Sequence, residues 1–427
     1  MRLKKDLILD HNRKNEPKHR EYFNQLADRL TGKGRDVDRI IQDIMTLQIA
    51  IPSWALGSGG TRFGRFPEGG EPRNLQEKIE DVGLLHALNR SSGSISLHIP
   101  WDVPDNYVDI ISLADSFDLK FDAVNSNTFQ DQADQKYSYK FGSLSHTDPG
   151  VRRQAIDHNK EVVDHGVRLG SECITVWLAD GSSYPGQQNF RKALIRTKES
   201  LSEIHDYLPE NWRMYVEYKP FEPSFYSMVI PDWGTSYYLS ASIGPKAYSL
   251  VDLGHHLPNT NIEQVVAILM MTGKLGGFHF NDSKFADDDL TVGAIKPYQL
   301  FLILNELVYG IVNNDSNNPP LAWMIDASHN LKDPLEDLLQ SVEAIKIAYA
   351  QALIVDRDQL ESHRDHNDPV PAQELLQDAF RTDVRPLLAE ARIRNQASCD
   401  PIVFYRDLKI RKTLIEERGV KTIATGL

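Results

Sequence analysis

Val251-Asp252-Leu253-Gly254-His255-His256 and Gly277-Phe278-His279-Phe280-Asn281-Asp282-Ser283-Lys284, the second running on to Asp287-Asp288-Asp289, decide how this chain is read. Each opens as a short apolar strand and closes in carboxylates and imidazoles. Those are the ligands that hard and borderline divalent ions take. There are more of them than one ion needs, so the pair points to an enzyme built around two metal ions. A strand that delivers polar groups at its C-terminal end is also the unit from which a (β/α)8 barrel assembles its site.

Working outward, similar apolar, β-prone runs occur at Gln48 to Trp54, Ser94 to Pro100, Phe121 to Asn125, Cys173 to Leu178, Arg213 to Glu217, Ala247 to Leu253, Gly276 to Asn281 and Leu321 to Asp326. Several are continuously apolar, as in buried parallel strands. Helix signals lie between them. Asp148-Pro149 precedes Val151 to Leu169 as an N-cap and a first-turn proline. Pro104 precedes an apolar-periodic run through Leu113, and Pro297 opens Tyr298 to Leu307. Asn259-Thr260-Asn261 caps Ile262 to Met271, which stops at Gly273. Eight such units predict an α/β protein, a (β/α)8 TIM barrel over roughly Ala50 to Ala350. Trp54, His98, Asn125, Trp177, Glu217, Asp252, His279 and Asp326 all fall at or near strand ends, where a barrel keeps its functional groups.

The first 45 or so residues read as charged amphipathic helix. Beyond Pro369, helices are expected over Gln373 to Ile393, kinked or split at Pro386, and over Pro401 to Arg418. Asn367 to Pro371 reads as a loop. The expected division is 1–355, barrel with N-terminal helical extension, and 356–427, a helical extension serving subunit contacts. The net charge of −13 over 427 residues disfavours nucleic acid as a partner. Two cysteines, Cys173 and Cys399, exclude a disulfide framework. The charged start and the lack of a long apolar run lead to the expectation of a cytoplasmic protein with no membrane partner.

Glu217 and Lys219 stand two residues apart on a strand and share a face. Alone they could be a salt-bridged pair. With Asp252, His279 and Asp326 on the next three strands, Glu217 can converge on one point, and three carboxylates with one imidazole would hold a divalent ion. His255, Asp287 and Asp289 make a second, more open site, with Glu217 placed to bridge and Asp288 turned away; the bland alternative is a solvated acidic loop. His98 could act in ring opening, contact a substrate hydroxyl, or be a buried histidine bonded to a carbonyl. Trp54, Phe129 and Trp177 could form an apolar wall against a sugar face or ordinary core. Gly57 to Phe63 lacks the phosphate-loop lysine pattern and reads as a lid over the site.

These residues carry a resemblance. The chain resembles bacterial L-rhamnose isomerases, in the broad-specificity branch that also acts on D-allose, within the xylose-isomerase-like barrel superfamily. The similarity runs from about Ala50 to Pro386, through Ile51 to Phe66, Ser96 to Asp102, Asn125 to Phe129, Val251 to Asn261, Gly276 to Asp289 and Met324 to Asn330. It implies a structural ion on Glu217, Asp252, His279 and Asp326, and a catalytic ion on Glu217, His255, Asp287 and Asp289. Lys219 and His98 match substrate-contacting positions. The family resembled is usually a homotetramer and prefers manganese, with cobalt, magnesium or zinc as other candidates.

The implied reaction is L-rhamnose to L-rhamnulose, and D-allose to D-psicose, by a metal-mediated hydride shift between C1 and C2. Lys219 would stabilise charge on O1, and Asp326 would help hold an activating water. A ketose 3-epimerase on a similar barrel, with one metal and two opposed glutamates, is the alternative. A zinc endonuclease would want more histidines and a basic face, and a non-catalytic sugar-binding barrel would not need a second ion site.

Overall fold

The computed structural model describes residues 2–57, 66–222, 225–313, 320–329 and 331–421. Eight parallel strands close into a barrel: β1 (Ala50–Pro52), β2 (Ser94–Ile99), β3 (Lys120–Ser126), β4 (Cys173–Val176), β5 (Arg213–Glu217), β6 (Ala247–Asp252), β7 (Leu275–Phe280) and β8 (Ala322–Ile325). Each pairs with its sequence neighbour, and Ala50 opposite Met324 closes the ring. All eight expected runs supply a barrel strand.

Two helices precede the barrel, α1 (Lys5–Gly32) and α2 (Val37–Thr46). The helices that follow the strands are α3 (Leu75–Asn89), α4 (Tyr107–Asp115), α5 (Pro149–Leu169), α6 (Phe190–Tyr207), α7 (Trp233–Ile243), α8 (Ile262–Met271), α9 (Pro297–Asn313) and α10 (Pro334–Leu353). Their starts obey the capping signals. Asp148 accepts from Gly150 N, with Pro149 in the first turn, and Asn261 accepts from Gln264 N. The outward strand residues Ile95, Leu97, Val251, Phe278, Phe280 and Ile325 pack against α3, α8, α9 and α10 in one buried cluster. Val124, Ile174, Val176, Met214 and Val216 form a second cluster with α5, α6 and α7. Ala123, Cys173, Tyr215 and Leu250 form a small separate cluster of their own.

The C-terminal reading needs correction. Five helices follow α10: α11 (Arg357–Asp365), α12 (Pro369–Arg381), α13 (Arg385–Arg394), α14 (Pro401–Asp407) and α15 (Ile410–Arg418). α11 was not expected. The stretch expected as a loop at Asn367 to Pro371 instead starts α12, because a proline is well placed in a first turn. The segment expected over Gln373 to Ile393 is split, but at residues 382–384 rather than at Pro386, which sits in the first turn of α13. The helix expected over Pro401 to Arg418 is interrupted at Lys409, which takes a left-handed conformation (φ 52°). α11, α12 and α13 share an apolar cluster with α1, α2, α9 and α10 that includes Leu26, Ile41, Phe301, Leu387 and Leu388, whereas Phe404, Tyr405, Ile410 and Leu414 of α14 and α15 join the cluster of the barrel. A two-stranded antiparallel pair, Gly181–Ser182 with Ser227–Met228, joins the loops after β4 and β5 and was also not expected. Among the described residues no single helix is long and apolar enough to cross a membrane.

One irregularity fixes the site. Ser249 lies opposite Leu275, but the next residue, Leu250, lies opposite Gly277. Gly276 is thus the extra residue of a bulge on β7, and from there Asp252 faces His279. Without the shift every later side chain of β7 would change faces. The glycines are needed by close approach. A Cβ on Gly276 would lie 2.6 Å from the Tyr215 ring, and one on Gly277 2.2 Å from the Ala322 carbonyl oxygen. Backbone cannot give way as a side-chain tip can. Gly277→Ala should therefore destabilise the protein by about 3 kcal/mol, measured as a lower urea midpoint; an unchanged midpoint would show that β7 and β8 can separate freely.

Candidate active site

The inward positions at the C-terminal ends of β5 to β8 bring four ligand-type side chains together. Glu217 closes β5, Asp252 closes β6, His279 is the penultimate residue of β7, and Asp326 directly follows β8. The Nδ1 atom of His279 lies 3.2 Å from Glu217 Oε1, 3.8 Å from Asp252 Oδ2 and 3.7 Å from Asp326 Oδ2. Glu217, Asp252 and His279 are buried; Asp326 keeps 28% of its side chain exposed. Asp252 divides its two oxygens. Oδ1 accepts from Gly254 N at 2.7 Å and Asn281 Nδ2 at 2.9 Å. Oδ2 has no hydrogen bond among the described residues although it is buried. A carboxylate with one oxygen tied off and the other left inward suits an ion.

The second group lies beside the first. His255 Nδ1 is 3.3 Å from Glu217 Oε1, and its Nε2 is 3.4 Å from Asp287 Oδ1. The same oxygen of Glu217 therefore faces both imidazoles. Asp252, His255 and Asp287 form a second tight set of donor atoms, so Asp252 borders both groups rather than the first alone. Asp287 and Asp289 interact directly, while Asp288 turns away and accepts from Lys284 N and Phe285 N. The acidic run is thus a built loop rather than a solvated one. Its base is pinned by paired backbone bonds between Asp282 and Leu290, each 2.9 Å, and by Asp282 Oδ2 accepting from Ile295 N and Lys296 N.

Electrostatics reflect the crowding. Burial opposes ionisation of Glu217, but His279 and His255 outweigh it and hold its carboxyl down at about 2. Burial pushes Asp252 up to about 7. Burial would also lower His279, yet Glu217 beside it raises the ring to about 9. Asp289 is pushed well up by burial and by Asp287. Five carboxylates here meet one ammonium, that of Lys219. Glu222 is a sixth carboxylate, bonded to the same ammonium, so with neutral imidazoles the site carries a clear excess of negative charge, which divalent cations would offset. The donor set fits the ions expected of it.

Lys219 does not pair with Glu217. Its Nζ donates to Asp287 Oδ2 at 2.6 Å and to Glu222, and lies 5.5 Å from the Trp177 ring centre. The four rings stand together: Phe129 lies 5.1 Å from Trp177 and 5.5 Å from His98, and Trp54 lies 5.3 Å from His98. Trp54 sits in a short 3-10 turn after β1 rather than in the strand, and its Nε1 donates to Asp326 Oδ1 at 2.9 Å. The long loop carrying Phe129 is held further along by Asp180, which accepts from Ser143 and Ser145. The lid expected over Gly57 to Phe63 lies outside the described residues from position 58 on. Sequence reasoning missed Trp101, 4.9 Å from His98, although the motif containing it was read. It also missed Asn281 and Glu222, whose roles depend on which partner the fold brings to them.

No family model matches the chain. A protein of Rhizobium meliloti (strain 1021) named as a probable sugar isomerase is 49% identical over 396 residues, covering 93% of this chain and 92% of that protein. The chain belongs to this sugar isomerase family. The xylose isomerase of Thermus thermophilus is 26% identical over 272 residues, 60% of this chain and 67% of that protein. Among solved structures, an L-ribulose 3-epimerase superimposes with a TM-score of 0.53 at 13% identity, covering 74% of this chain and 97% of that one, a likeness of fold.

His98 offers a pH test in this sugar isomerase. Burial lowers its imidazole to about 4. The folded ring refuses a proton that the unfolded ring accepts below about 6.5, so stability falls as pH drops from 6.5 towards 4 and the ring has no such effect above 6.5. Between pH 7 and pH 5 the wild type should lose about 2 kcal/mol more than His98→Asn, compared by urea unfolding of chelator-treated protein. Equal losses would place the ring in contact with solvent.

Proposed function

We propose that this protein is a metal-dependent aldose–ketose isomerase interconverting L-rhamnose and L-rhamnulose, and D-allose and D-psicose. One observation supports the reading above others: His255 and Asp287 stand beside the first group, His255 against the Glu217 oxygen that also faces His279, with Asp289 in contact with Asp287. Glu217, Asp252, His279 and Asp326 would hold a structural ion, and Glu217, His255, Asp287 and Asp289 a catalytic one. Manganese is the first candidate, with cobalt, magnesium or zinc behind it. When bound, such ions supply Lewis-acid polarisation of neighbouring sugar oxygens. The choice of sugars rests on the resemblance, and the sugar isomerase relatives support the reaction class.

The chain's own residues divide the remaining work. His98, neutral at pH 7, can take and return a hydroxyl proton as the ring opens. Trp54, Phe129 and Trp177 give the sugar an apolar face and keep water from it. The Lys219 ammonium would face negative charge developing on O1. Asp326, fixed by Trp54 Nε1, would help hold the water that takes the proton released from O2. Hydride then passes from C2 to C1, so that C2 becomes the carbonyl, and the proton that left O2 is returned to O1. Glu222, a further carboxylate nearby, is engaged by Lys219, which disfavours an enediol route with a side-chain base at C2. A homotetramer in the cytoplasm, with 356–427 contributing subunit contacts, completes the proposal.

The decisive assay is turnover of L-rhamnose by metal-stripped protein with manganese restored. Ketose should form only with metal. Folded, metal-bound protein that makes none would overturn the isomerase reading, and ketohexose epimerisation would then be assayed. In deuterated water little solvent deuterium should enter C1 of the product; efficient incorporation would sink the hydride shift.

A further inference from the structure

The two loops that carry Asp289 and Asp326 end on one side chain. Asp337, 2% exposed, lies in the first turn of α10, where the helix N-terminus favours a carboxylate. Its Oδ1 accepts from Thr291 Oγ1 at 2.6 Å and Lys332 Nζ at 3.0 Å. Its Oδ2 lies 2.7 Å from His329 Nδ1. Thr291 is two residues beyond Asp289, and His329 three beyond Asp326. The loops are also joined directly, since Ser328 N donates to Asp289 O at 2.8 Å.

The two loops do not need this bracket equally. The backbone N–H of Asp326 bonds to Phe280 O at 2.9 Å, so the barrel itself places that carboxylate. Asp289 has no strand beneath it. It takes a left-handed conformation (φ 48°) that side-chain-bearing residues seldom adopt, and such a conformation persists only where its surroundings enforce it. The Thr291 tie to a rigid helix, with the Ser328 bond, supplies that enforcement.

We infer that Asp337 is a positioning residue that sets the affinity of the second ion by holding the Asp289 loop through Thr291. The inference rests on the two-ion reading above. Partners that orient ligands in this way are commonly worth 10- to 100-fold in metal affinity.

The test is manganese binding to chelator-treated full-length protein by calorimetry, with Asp289→Asn used to mark which binding class is the second ion. Asp337→Asn keeps the shape and removes the charge; it should weaken the second class about 10- to 100-fold and leave the first within about threefold. Thr291→Val cuts the arm to the ion loop, with the Lys332 bond to the same hydroxyl, and leaves Asp337 its bonds to Lys332 and His329; it should weaken the same class by a smaller factor, and it carries the test alone if the first variant does not fold. A merely structural role would lower the unfolding temperature of metal-free protein without separating the two affinities. Equal loss in both classes, or loss in neither, overturns the inference. Fewer than two classes in the wild type overturns the two-ion reading itself and the inference with it.

Discussion

Five carboxylates gathered at one barrel mouth repel one another, and the surrounding structure exists to keep them there. At separations of a few ångströms in a poorly hydrated site, such repulsion reaches several kcal/mol per pair. The protein answers with fixed positions and with shifted proton affinities. Lys219 is the one ammonium among the groups described, and it leans on Asp287 and Glu222. The imidazoles of His255 and His279 are driven towards protonation by the same crowding that drives Asp252 and Asp289 towards neutrality. A site whose neighbours are pushed apart in this way is poised for cations.

Holding like charges together requires rigid elements, and the barrel supplies them through register. The bulge at Gly276 brings Asp252 opposite His279, and the two glycines permit an approach that any Cβ would block. Loop-borne groups need other fixings. Asp282 closes the loop of Asp287 and Asp289 at its base, and Asp337 ties its far side to α10. Strand and loop thus share the placement of one site, and the groups set by loops depend on more partners.

The barrel was legible because buried parallel strands are continuously apolar and because functional residues fall at their ends; Glu217, Asp252, His279 and Asp326 follow from that rule alone. Asp287 and Asp289 were legible from their spacing. The rest depends on contacts that one-dimensional spacing does not carry. Trp101 stands one residue after Pro100 in a motif that had been read, yet its place in the aromatic wall depends on a turn. Asp337 looks like any acidic residue in a helix's first turn until Thr291 and His329 arrive beside it. The split expected at Pro386 falls a few residues earlier, at 382–384, because a proline that could interrupt a helix instead begins one, and the break at Lys409 was missed.

Fold likeness does not choose between isomerisation and epimerisation here, because the same barrel serves both in the proteins it resembles. The choice turns on donor number. Glu217, Asp252, His279 and Asp326 would be donors enough for one ion; with that alone, His255, Asp287 and Asp289 would be three buried or nearly buried titratable groups set together at a cost and to no purpose. Moving hydride between adjacent carbons asks for two neighbouring oxygens to be gripped at once, whereas inverting one carbon asks for a base on each face. A glutamate flanked by two imidazoles, with a loop of aspartates on one side and aromatic rings around His98, supports the first demand. That asymmetry between a crowded donor set and an apolar wall is the strongest argument for the isomerase.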